Sequence, residues 1–219
     1  MDDFTPKRLT LFMGHYGSGK TNLAFNFARM LKRQGKCVTI ADLDIVNPYF
    51  RTKDSQKELE EDGISLIVSK YANSNVDLPS MSAQTYALID SRSEYGVLDI
   101  GGDDRGALAL GRYADDILAE NDYDAFFVVN RARPLTQTVE QAVSIGMEIM
   151  SACRMGFTGV VNNSNIGDDT TAEYVRNSIG WAKSVADALS VRLVCTTVMR
   201  GLKLEGAVPV DLRRYEWQK

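Results

Sequence analysis

Hydrophobic positions along this chain alternate between two patterns. Short apolar runs at Leu9–Met13, Cys37–Asp42, Ile64–Val68, Val97–Ile100, Ala125–Val129, Phe157–Val161 and Val191–Val198 read as buried strands. Between them lie stretches with apolar residues at helical spacing. These predict helices at Thr21–Gln34, Lys53–Asp62, Ser82–Ile89, Leu108–Leu118, Pro134–Met150 and Thr170–Leu189. In the first, Leu23, Phe27, Met30 and Leu31 share one face, Lys32 and Arg33 sit near the end, and Gly35 stops it. The segments 71–80 and 199–219 read as loop and polar tail. Strand–helix alternation without a linker or repeat predicts one α/β domain, a mostly parallel sheet with helices on both faces. A length of 219 residues with 44% hydrophobic content fits a single core spanning residues 1–219.

Chemistry gathers at the tips of these predicted strands. After the first run the chain reads Gly14, His15, Tyr16, Gly17, Ser18, Gly19, Lys20, Thr21, which is the pattern G-x-x-x-x-G-K-[ST] opening a helix. The glycines allow a tight loop whose amides face an anion, and the helix adds its positive end. Lys20 supplies a point charge for the outer phosphates, and the Thr21 hydroxyl is a hard ligand suited to magnesium. A chain of this length matches the bare pattern by chance roughly once in a hundred times. The strand–loop–helix context lowers that further.

Two further stations follow. The second strand ends in Asp42 and Asp44, then Asn47 and Pro48; a polar cluster past a strand's carboxyl end is where open parallel sheets place ligands. The stretch Gly96–Asp104 puts Asp99 at a strand tip before Gly101 and Gly102. A carboxylate there can hold magnesium, and the glycines let the backbone approach a γ-phosphate.

Charge and cysteines narrow the class. A net charge of −4 argues against nonspecific duplex binding, which needs a basic face. Cys37, Cys153 and Cys195 form no C-x-x-C pair, so neither a zinc site nor a dithiol motif is expected. The polar start MDDFTPKR is no signal peptide, and no run approaches a membrane span. A reduced, cytoplasmic protein is expected, without nucleic-acid or membrane partners.

Taken together, GHYGSGKT, DLDIVNP and VLDIGGDD resemble the MinD/ParA-like branch of P-loop NTPases, over roughly the first 160 residues. That branch includes the arsenite-pump ATPase, the nitrogenase iron protein and cobyrinic acid diamide synthase-like enzymes. The resemblance implies a three-layer fold with strand order 3-2-4-1-5-6-7. It also implies ATP and Mg2+ as cofactors. Thr21 would coordinate the metal, Asp99 would hold it through water, and Asp44 would orient the attacking water. Lys20 would neutralise the phosphates. Asn162 would match the family's adenine-reading asparagine, and VVNNSN stands where a GTPase carries N-K-x-D.

One departure bears on assembly. The family's signature lysine, which reaches across an ATP-sandwiched homodimer, is replaced by His15, and Tyr16 stands where glycine is usual. This argues against the sandwich dimer and leaves phosphate binding intact.

Three functions follow from the resemblance. The first is an ATPase acting as a nucleotide switch on a protein partner. The second is an ATP-dependent carboxylate ligase of the dethiobiotin or cobyrinic acid type, with Arg51 binding a small-molecule carboxylate beside segments 42–51 and 71–80. The third is a module that holds ATP without cleaving it.

Overall fold

The computed structural model describes residues 5–44, 53–68, 83–102 and 104–212. The Asn47–Arg51 segment, the 71–80 loop and the last seven residues lie outside them, and with them the expectations placed there, Arg51 included.

A single sheet of eight strands organises the chain: β1 Leu9–Met13, β2 Val38–Leu43, β3 Ser65–Val68, β4 Tyr95–Ile100, β5 Tyr123–Val129, β6 Gly159–Asn162, β7 Arg192–Met199 and β8 Val208–Val210. Their order is β3-β2-β4-β1-β5-β6-β7-β8, and every pairing is parallel. The expected order of seven strands is present. β8 extends it by one short edge strand against β7, where Pro209 has no amide hydrogen to offer a further neighbour.

The inner strands β1, β2, β4, β5 and β6 are buried on both faces, and their alternation decides what each residue meets. In β1, Leu9, Leu11 and Met13 join one core, and Phe12 joins the other. The Phe12 side is covered by α1 (Lys20–Arg33) and α2 (Lys53–Glu61). The opposite side is covered by α3 (Ala83–Asp90), α4 (Asp104–Leu110), α5 (Ala114–Glu120), α6 (Val139–Cys153) and α7 (Ala172–Ala188).

Two helices differ from the sequence expectation. Leu108–Leu118 is not one helix: α4 ends at Leu110, and α5 begins after a turn carrying the buried Tyr113. At Gly111 an added Cβ would lie 3.0 Å from the Ala152 carbonyl, so the turn packs on the end of α6. The helix expected from Pro134 starts at Val139 instead. Thr138 and Gln141 form a reciprocal capping box that fixes this start. Residues 130–138 are thereby released as a loop on the phosphate-loop side of the sheet.

Candidate functional site

Strand parity brings the site together. In β4, Leu98 and Ile100 face the α4–α7 core while Val97 faces α1, so Asp99 also points to the α1 side. By the same alternation Asp42 in β2 faces α1. The two aspartates are register partners across adjacent strands, and both are buried. The Thr21 hydroxyl, in the first turn of α1, donates to Asp99 Oδ2 at 2.6 Å. The other oxygen, Asp99 Oδ1, is buried without a hydrogen-bond partner among the described residues, as is the Ser18 hydroxyl. Asp44 lies past the end of β2, where its amide donates to Asp42 Oδ1 at 3.0 Å.

The loop from Gly14 to Gly19 closes over this cluster. Lys20 is buried, and its ammonium donates to the His15 carbonyl at 3.4 Å. Gly102 lies against the loop: an added Cβ would come within 2.6 Å of the Tyr16 nitrogen and 2.9 Å of Lys20 Nζ. Only glycine allows the segment after β4 to touch the loop this closely. Gly19 caps α1 with φ +92, and an added Cβ there would lie 2.2 Å from Asn163 Nδ2.

The electrostatics follow from burial. Burial pushes the Asp99 carboxyl up to about 7, against the pull of the Lys20 ammonium and the Thr21 hydrogen bond; the charge of Asp44 adds to the rise. His15 is held below its ordinary value, first by burial and then by Lys20, with Glu148 opposing weakly. Tyr16 is 62% exposed at the loop's surface.

The residues fit a magnesium–triphosphate ligand. A hydroxyl and a buried carboxylate with one orphaned oxygen sit at the start of a helix, beside a buried ammonium. No group of three or more metal-ligating side chains occurs among the described residues. Magnesium held by few protein ligands takes its remaining sites from phosphate and water.

Sequence reasoning placed Gly14 through Thr21, Asp44 and Asp99 at one end of the sheet, and the structure brings them together there. Asn162 is different. It is fully buried on the α7 side, its Nδ2 donating to Ser178 Oγ and Thr196 Oγ1 at 2.9 and 3.3 Å. Its Oδ1 accepts from the Ser164 amide and hydroxyl. The expected adenine-reading role is left without a free hydrogen-bonding atom. The neighbouring Asn163 faces the phosphate loop instead, with Nδ2 donating to the Ser18 carbonyl at 2.8 Å. Arg133, which no motif singled out, reaches the loop as well: its Nε donates to the Gly17 carbonyl at 2.8 Å.

A cavity of about 450 Å3 lies elsewhere, between α1, the sheet and β8, floored by Phe12, Phe27, Phe126 and Val194. It does not include the phosphate loop.

This fold and loop define a nucleotide-binding domain of the P-loop class. Residues 11–169 match the family described as the CobQ/CobB/MinD/ParA nucleotide binding domain, and the chain belongs to that family. No curated protein sequence matches the chain. Among solved structures it is similar to chloroplast FtsY from Physcomitrella patens, with a TM-score of 0.60, 15% identity, and 91% of this chain and 61% of that chain covered. It is also similar to the signal recognition particle 54 kDa protein from Aeropyrum pernix K1 in complex with GDP (TM-score 0.55, 15% identity, 89% and 42% covered). A third is FlhF complexed with GTP/Mg(2+) (TM-score 0.54, 15% identity, 91% and 69% covered). The chain spans about three fifths of that FtsY's length, and at such identity the likeness is one of fold. No helix among the described residues is long and apolar enough to cross a membrane.

Proposed function

We propose that this domain is a magnesium-dependent ATPase that acts as a nucleotide switch on a protein partner. The observation that carries the reading is the Thr21–Asp99 pair with its orphaned carboxylate oxygen, set beside the buried Lys20. Bound magnesium would be held by Thr21 and Asp99 and would neutralise charge on the triphosphate. Lys20 would leave the His15 carbonyl for the outer phosphates. The amides at the start of α1 would take the remaining phosphate oxygens. Asp44 would position the attacking water. Gly102, where an added Cβ would meet Tyr16 and Lys20, would respond when the terminal phosphate departs.

ATP rather than GTP is proposed because the segment after β6 reads VVNNSN, without the aspartate of the N-K-x-D type that would pair with a guanine edge. The solved relatives named with GDP or GTP weigh against this only as far as their fold likeness reaches. The test is competition: ATP should displace a labelled nucleotide at concentrations at least tenfold below GTP. Equal potency, or preference for GTP, would reverse the assignment.

One observation favours a second reading, the carboxylate ligase. His15 stands in the place of the signature lysine, and burial and Lys20 hold it below its ordinary value, so the loop has no permanent cation there for a sandwich dimer to use across its interface. A site completed by a small molecule does not need that cation. The readings separate by whether phosphate release is stimulated by an added carboxylic acid substrate or by an added protein.

A further inference from the structure

The loops that follow β5 and β6 each send one side chain to the phosphate loop, and they land on consecutive peptides. Arg133 Nε donates to the Gly17 carbonyl, and Asn163 Nδ2 donates to the Ser18 carbonyl, both at 2.8 Å. The two glycines at this point leave room for those donors. An added Cβ on Gly17 would lie 3.2 Å from Arg133 Nε, and one on Gly19 would lie 2.2 Å from Asn163 Nδ2.

The donors are themselves mounted rigidly. Asn130 Nδ2 donates to the Asn165 carbonyl at 3.2 Å, and Asn130 Oδ1 accepts from the amides of Ala132 and Asn165. The Arg131 amide donates to Ser164 Oγ at 3.0 Å. The Thr136 hydroxyl donates to the Asn130 carbonyl at 2.8 Å, closing the turn that presents Arg133. Asn163 Oδ1 accepts from the Thr197 hydroxyl on β7 at 2.6 Å. The two loops thus form one hydrogen-bonded frame, partly buried and anchored by the buried Thr136–Asn130 and Thr197–Asn163 bonds.

Across a trans peptide the carbonyl and the amide hydrogen point in opposite directions. Holding the Gly17 carbonyl outward turns the Ser18 amide inward, where it donates to the His15 carbonyl at 3.1 Å and closes the loop's turn. Holding the Ser18 carbonyl outward turns the Gly19 amide to the opposite side, at the head of α1.

We propose that Arg133 and Asn163 are positioning residues that pin the phosphate loop in its anion-binding shape before nucleotide arrives. The inference rests on the nucleotide-binding reading for its purpose but has a consequence in the nucleotide-free protein. The pin lowers the ordering cost of binding.

The test uses the full chain and the variants Arg133→Met, Arg133→Lys, Asn163→Ala and the Arg133→Met/Asn163→Ala pair. Hydrogen exchange at the Ser18 amide of nucleotide-free protein should speed up at least tenfold in Arg133→Met, with exchange in β1 and β5 unchanged. Affinity for ATP with magnesium should fall about tenfold in Arg133→Met and in Asn163→Ala. The double variant should lose less than the product of the singles, because both act on one loop. Arg133→Lys keeps the charge without the planar Nε and should stay near Arg133→Met. An unchanged Ser18 exchange rate, full restoration by lysine, or singles that multiply would overturn the proposal. If the wild-type protein binds no nucleotide, the functional reading fails, while the Ser18 exchange rate still decides the pin. Because Arg133 is only partly buried, its variants keep the test open should Asn163→Ala fail to fold.

Discussion

The two ends of the central strand treat buried charge in opposite ways. At the amino end of β1, Arg8 is buried and saturated. Its guanidinium pairs through two nitrogens with Glu120 of α5 and donates to the carbonyls of Leu88, Ile89 and Glu94. At the carboxyl end, Asp99 is equally buried but keeps one oxygen without a partner among the described residues, and the buried Ser18 hydroxyl of the phosphate loop likewise has none among them. The first arrangement ties α3, α5, β1 and β4 together and leaves nothing for a ligand to gain. The second carries a desolvation cost that a divalent ion and phosphate oxygens would relieve. One end serves stability and the other is held open for binding.

The largest effect should come from breaking the saturated end. Arg8→Ala leaves Glu120 buried without its partner and should lower stability by about 3–5 kcal/mol. Urea unfolding measures this, and the surviving folded fraction should bind nucleotide as before. A loss under 1 kcal/mol would remove the contrast between the ends.

The open end should respond in the other direction. Asp99→Asn removes the charge that burial disfavours and should raise the stability of nucleotide-free protein by about 1–3 kcal/mol at pH 8, while abolishing magnesium-dependent binding. A lowered melting temperature would contradict it. The pH dependence has a definite sign. A carboxyl whose folded value is raised to about 7, from 3.8, favours the folded state below the unfolded value. That contribution is lost as pH rises from about 4 to about 7, by roughly 1.4 kcal/mol per pH unit at most. The wild-type protein should therefore lose more stability than Asp99→Asn across this window, in thermal melts without magnesium. Parallel profiles would show that Asp99 is not the strained group.

The smallest change sharpens the division within the open end itself. Asp44→Ala should leave ATP affinity within about threefold and reduce hydrolysis at least tenfold. Equal turnover would remove the role assigned to Asp44.

Most of the architecture was legible because a two-sided parallel sheet writes its strands as continuous apolar runs. LTLFM and AFFVV have no other plausible reading once bounded by helices. The phosphate loop was legible because it is local in sequence. What escaped was set by tertiary geometry. β8 has three residues and a proline, too short to carry a period. Pro134 looked like a helix start, although Thr138 and Gln141 already spelled a capping box that would have moved the start to its observed place. The asparagine pair turns on parity alone. Val160 packs in the α7 core and Val161 in the α1 core, so Asn162 follows the first and Asn163 the second. Reading that alternation past the strand's end would have directed attention to Asn163. Arg133 gave no local signal, because its relation to Gly17 spans 116 positions and exists only once β1 and β5 pair.

The most direct measurement is calorimetric titration of the protein with ATP and magnesium, paired with the same titration of Lys20→Ala. The account predicts a binding heat for the wild type that requires magnesium, and a loss of affinity of about a hundredfold or more in the variant. No heat from the wild type with either ATP or GTP, or equal affinity in both proteins, would contradict a triphosphate cradle at the carboxyl end of β1.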